Sequence, residues 1–111
     1  MNLSTLEAVF MRIKVPGQLY DRVDDLSQAQ GIRFLCPLCF AANNGPVGTH
    51  SVLCWFRGRG VPDTEEPLPG RWEVSGTGLS DLTLSPSVLI TTGCRWHGWV
   101  RNGDAGDHPA A

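Results

Sequence analysis

Two short stretches constrain this chain more than any others. "FLCPLCF" at residues 34–40 carries Cys36 and Cys39, and "GCRWHGWV" at 93–100 carries Cys94 and His97. Each pair leaves two residues between its donors, a spacing that lets a tight turn aim both side chains at one ion. Residues 40–93 lie between the two halves, so a shared ion would tie distant segments together. Pro37 stiffens the first turn, and Gly93 and Gly98 permit the unusual backbone angles of the second.

Three thiolates and one imidazole form a standard tetrahedral set for structural zinc. The spacing therefore predicts one Zn²⁺ per chain, held by Cys36, Cys39, Cys94 and His97 in zinc-ribbon-like CxxC and CxxH knuckles. Competing readings are buried thiols with a core histidine, a redox dithiol, or an iron site. A thioredoxin-like dithiol wants its first cysteine at a helix N-terminus, and "FLCPLCF" does not read that way. His50 and Cys54 form an HxxxC pair within the strand-like "THSVLCWF". Four residues along a strand span about 13 Å, so both cannot reach one ion. Cys54 is expected as a buried thiol and His50 as a polar residue at a loop edge, with His50 replacing one of the four ligands as the alternative. Four protein donors leave no open position, which marks a structural rather than a catalytic ion.

The rest of the chain reads as a small β-rich (α+β) single domain with an antiparallel sheet and one short helix. Thirteen glycines and eight prolines in 111 residues favour turns over long helices. Val9, Met11, Ile13 and Val15 alternate with Phe10, Arg12 and Lys14, which predicts a strand, and "PG" at 16–17 turns it back into a second one at 18–23. A short helix is expected from Asp24 or Asp25 to Gly31. Further strands are expected at 49–56, at 71–74, on both sides of Ser85–Pro86, and at "HGWVR", with a hairpin turn at Asn102–Gly103. The domain is assigned to residues 1–104. Residues 105–111 have little apolar content and are expected as a disordered tail.

Net charge is −2 and Lys14 is the only lysine, which argues against binding nucleic acid through bulk charge. No apolar run is long enough to span a membrane, and the start lacks a signal-peptide pattern, so the bacterial cytoplasm is the expected location. No Ser–His–Asp, phosphate-loop or dinucleotide signature stands out, and the carboxylates read as caps, turns or solvated loop residues. An enzyme is not expected. The segment from Arg57 to Gly70 reads as a long exposed loop bracketed by Trp55 and Trp72. Arg57, Arg59, Trp55 and Trp72 are the candidate partner-binding residues, because aromatic–arginine clusters anchor interfaces.

The motifs "FLCPLCFAANNGPVGTHSVLCWF", "PGRWEVSGTGLSDLTLSPSV" and "GCRWHGWVRNGD" are similar to those of a family of uncharacterised small proteins encoded by tailed bacteriophages and prophages. The resemblance runs from about Leu6 to Asp104. It implies a phage or prophage origin and supports the four metal ligands above. The expected function is a zinc-stabilised module that binds a host or phage protein, for example as an inhibitor of a host defence system. The alternatives are a zinc-ribbon-like nucleic-acid binder or a virion or assembly accessory protein.

Overall fold

The computed structural model describes residues 1–91 and 93–107. Its strands follow the sequence pattern closely at the N-terminal end. β1 (Val9–Val15) and β2 (Leu19–Val23) form the expected hairpin, with Gly17 at φ 72° in the turn. β3 (Gly31–Leu35) pairs with β1 on its other side, and β4 (Ser51–Trp55) pairs with β3. All pairings are antiparallel, and the sheet order is β2-β1-β3-β4. β4 therefore lies at an edge.

The remaining strands are shorter. β5 (Glu73–Ser75) and β6 (Thr83–Ser85) make a two-stranded ribbon. β7 (Val88–Leu89), β8 (His97–Arg101) and β9 (Asp104–Asp107) make a three-stranded sheet in that order. The Asn102–Gly103 turn forms as expected, with both residues at positive φ, as a two-residue hairpin requires.

One core joins these layers. Ile32, Phe34 and Cys54 from the larger sheet, with Phe56 just beyond β4, pack with Leu82, Leu84, Val88, Trp96 and Val100. Phe34 and Trp96 meet edge to face at 6.1 Å between ring centroids and connect the two sheets. Such a pair adds about 0.5–1.5 kcal/mol beyond the area it buries. Gly98 is buried because Trp96 and the Gly106 carbonyl occupy the space a Cβ would need.

Two expectations are corrected. The segment after Asp25 forms only a 3₁₀ turn at Leu26–Gln28, and the α-helix, α1, lies instead at Pro37–Asn43. Pro37 suits the first helical position, where its missing N–H costs nothing, and Asn44 ends the helix in the left-handed conformation. The expected tail is ordered through Asp107, because Ala105 turns inward on β9 and is buried. Residues 108–111 lie outside the described ones. Among the described residues no helix is long and apolar enough to cross a membrane.

Candidate functional site

The structure brings three of the four expected metal donors together. Cys36, Cys39 and Cys94 gather with His50, and their donor atoms all lie within 4.8 Å of one another. Cys36 Sγ and Cys94 Sγ are 3.5 Å apart, and His50 Nε2 is 3.1 Å from Cys94 Sγ. Donors 2.0–2.3 Å from a tetrahedral centre would sit about 3.5–3.8 Å apart, so the cluster is compatible with a metal site. Main-chain pairing explains how His50 arrives. Cys36 N–H donates to the His50 carbonyl at 2.9 Å, which sets the two residues opposite each other where β3 and β4 meet α1. The fourth member of the cluster is thus His50, and His97 stands outside it.

The thiols feel this environment unequally. Burial pushes Cys36 up to about 12, and burial also raises Cys39. Burial works upward on Cys94 as well, but hydrogen bonds with His50, the Trp96 main chain, Cys36 and Cys39 bring it down to about 7. Cys36 does cap the N-terminus of α1, contrary to the sequence reading, yet its raised pKa is the reverse of a reactive dithiol's first cysteine. Cys54 is fully buried and its thiol is raised by burial alone, as a core residue's should be.

His97 has a different neighbour. Its Nε2 lies 3.0 Å from Ser87 Oγ. The β7–β8 ladder causes this. Val88 pairs with Gly98 and Leu89 with His97, so Ser87, Leu89, His97 and Trp99 fall on one face. Val88, Trp96 and Val100 fall on the other and are buried in the core. The Trp72 indole N–H donates to the Ser87 carbonyl at 3.3 Å, fixing the serine backbone from the side opposite β8.

Ser87 opens into a groove of about 850 Å³. One wall is the outer edge of β4, the other is β7, and Glu66 to Trp72 lie along it. His50 and Gly93 mark the end nearest the cysteine cluster. A serine beside an imidazole, on the wall of an open groove, has the arrangement of an activated nucleophile.

The sequence of this domain settles its kinship. Residues 8–106 match the model of a family described as bacterial ubiquitination-like system serine protease (BubE). The chain belongs to the BubE family. No curated protein and no solved structure matches it. The family's description names a bacterial system and an enzyme, which overturns the expectation of a non-catalytic interaction module. It lends no support to a phage origin or an anti-defence role.

The expected partner-binding residues lie in varied settings. Trp55 is 0% exposed, stacks edge to face with Tyr20 at 5.2 Å and donates its indole N–H to the Glu66 carbonyl. It has no surface to present to a partner. Arg59 donates to the carbonyls of Leu26 and Ala29, so it staples the loop to the body. Arg57 is exposed and faces Glu73 at 3.6 Å, and Trp72 is half-buried along the groove. Arg71 gathers the carbonyls of Pro62, Glu65, Pro67 and Gly70 around one guanidinium. The segment from Arg57 to Gly70 is thereby folded against the domain.

The sequence reading did not foresee the contact between Ser87 and His97. Its signal was present as "SPSV" followed ten residues later by "WHG", across a glycine-containing turn. Only the β7–β8 register turns that interval into a contact.

Proposed function

We propose that this chain is a serine hydrolase that cleaves peptide bonds, with Ser87 as nucleophile and His97 as general base. The observation that carries the reading is the 3.0 Å approach of Ser87 Oγ to His97 Nε2 on the wall of an open groove, in a chain of the BubE family. Neutral His97 accepts the Ser87 hydroxyl proton as Oγ adds to the carbonyl carbon of the scissile bond. The same imidazole then hands that proton to the departing amine, leaving an acyl group on Ser87. A water molecule, deprotonated by His97, releases the acid and restores the hydroxyl. The family's name makes a polypeptide of a bacterial ubiquitination-like system the proposed substrate.

In the same reading Cys36, Cys39, His50 and Cys94 hold one Zn²⁺. A closed set of three thiolates and an imidazole supplies structural cross-linking. Cys94 lies in the loop between β7 and β8, the strands that place Ser87 and His97 together. Anchoring that loop to β3, α1 and β4 fixes the register on which the Ser87–His97 contact depends. Held by these four residues, zinc would supply structural cross-linking that positions Ser87 and His97.

Labelling with a fluorophosphonate, which reacts with activated serines, tests the assignment. One adduct on Ser87, located by mass spectrometry, is expected. It should vanish in Ser87→Ala and slow by about 10³-fold or more in His97→Ala. Wild-type protein that takes no label, or labels equally well without Ser87, refutes the nucleophile.

A further inference from the structure

We infer that the substrate binds as an extended strand that pairs its main chain with the outer edge of β4 at Ser51 and Leu53. This deepens the serine hydrolase reading and rests on it.

The ladder between β3 and β4 decides which peptide groups of β4 look outward. Cys36 N–H bonds to the His50 carbonyl at 2.9 Å, and Phe56 N–H to the Gln30 carbonyl at 2.8 Å. Both are hydrogen-bonded pairs of one register, in which Phe34 faces Val52 and Ile32 faces Cys54. Antiparallel strands alternate hydrogen-bonded with non-hydrogen-bonded pairs. Residues 50, 52, 54 and 56 therefore spend their N–H and C=O groups on β3. Those of Ser51, Leu53 and Trp55 point away from the sheet.

The chain itself shows that this edge accepts a strand. Trp72 N–H donates to the Trp55 carbonyl at 3.0 Å, and Arg57 N–H donates to the Trp72 carbonyl at 2.7 Å. Trp72 thus occupies the end of the β4 edge in a short parallel bridge. The stretch beside it, Ser51 to Leu53, carries the same outward pattern and lines the groove instead; His50 Nδ1 lies 3.3 Å from the Ser51 carbonyl, which keeps a second lone pair for a substrate N–H.

The opposite wall is built alike. Ile90 N–H donates to the Trp96 carbonyl, so Leu89 sits opposite His97 at a non-hydrogen-bonded position. Its peptide groups also point outward, and its side chain is 56% exposed. Two strand edges thus flank one groove, with the serine nucleophile on one of them. Exposed edges of this kind are ordinarily shielded, because any extended chain can pair with them. An extended polypeptide satisfies these groups and lies across Ser87 as it does so.

The test begins with a library of unstructured peptides, whose cleavage is read by mass spectrometry. Wild-type protein is expected to cleave members of it. For a cleaved sequence, N-methylation at successive positions should lower kcat/KM by about tenfold at alternate residues, the loss of one main-chain hydrogen bond. In a second arm, Leu53→Pro removes an outward N–H without breaking the β3 ladder. It should lower peptide kcat/KM by about tenfold while the rate of fluorophosphonate labelling at Ser87 stays within twofold. Uniform tolerance of N-methylation overturns the inference whether or not the proline variant folds. So does a wild-type protein that takes the label but cleaves none of the library, and in that case the serine nucleophile still stands. Absence of labelling in wild type removes the underlying reading instead.

Discussion

The two walls of the groove are held in opposite ways. β4 is a five-residue strand paired along its length with β3, and its Val52, Cys54 and Trp55 are buried. β7 has two residues, Val88 and Leu89, and among the described residues pairs only with β8. The wall that carries Ser87, the proposed nucleophile, is thus the one with less ladder to hold it. Its loop to β8 carries Cys94, which meets Cys36 and Cys39 at the start of α1 and His50 next to the stronger wall. With zinc bound as proposed, the difference would teach that side-chain cross-linking can substitute for secondary structure in a domain of this size.

The comparison breaks first at the cross-link. Cys94→Ser, or exposure of the wild type to a strong chelator, should remove a contribution on the order of 10 kcal/mol and leave the domain unfolded or aggregated. Thermal melting with and without chelator measures this, and equal melting temperatures contradict the role given to the cluster.

The two histidines sharpen it next. His50→Ala should lose bound metal and melt at lower temperature. His97→Ala should keep one equivalent of zinc and the wild-type melting temperature, while labelling at Ser87 slows by about 10³-fold or more. Elemental analysis and labelling on the same two samples separate the roles, and zinc lost from His97→Ala reverses them.

Cys54→Ser asks whether the fourth cysteine belongs to either system. It buries a hydroxyl among apolar neighbours and should cost about 1–3 kcal/mol in denaturant unfolding, with zinc content and labelling unchanged.

The smallest effect lies away from both walls. The Asp81 carboxylate accepts hydrogen bonds from the Thr77 and Gly78 main-chain N–H groups and from the Thr77 hydroxyl, which hold it below the ordinary carboxylate value. A carboxyl lowered on folding adds stability above its unfolded pKa and loses it as pH falls through the folded one. Asp81→Asn should therefore lower the melting temperature slightly at neutral pH, with the gap to wild type closing on acidification. A gap that persists at low pH rejects the assignment.

Much of this was legible in the residues. The alternation of Val9 to Val15, the Pro16–Gly17 turn and the Asn102–Gly103 hairpin are local signals, and local signals survive folding. That Cys36, Cys39 and Cys94 come together was legible too, since each two-residue spacing is a local signal, at a helix start for Cys36–Cys39 and in the loop before β8 for Cys94. Choosing between His50 and His97 was not local. His50 reaches the cluster through its cross-strand partner Cys36, and His97 reaches Ser87 through its own place on β8. Neither partner is marked by sequence spacing. The Ser87–His97 contact was hidden for that reason, and "WHG" reads in sequence as half of a metal knuckle. The helix was misplaced because Pro37 was taken as stiffening a turn, when proline serves equally well at a helix start.

The Arg71 guanidinium, with four carbonyls around it, has a consequence for how the groove breathes. The segment it organises is held largely by polar bonds and contributes little apolar mass to the core, whereas the strands beneath it are clamped by buried rings and aliphatic chains. Segments with that balance open locally at much lower free energy than the body beneath them. Residues 66–72 form part of the rim, so one arginine sets how often the groove widens without the domain unfolding. Amide hydrogens here should exchange with deuterated solvent well before those of β3 and β4, on a schedule that quickens when Arg71 is replaced by lysine, whose ammonium has three donors and no planar fork.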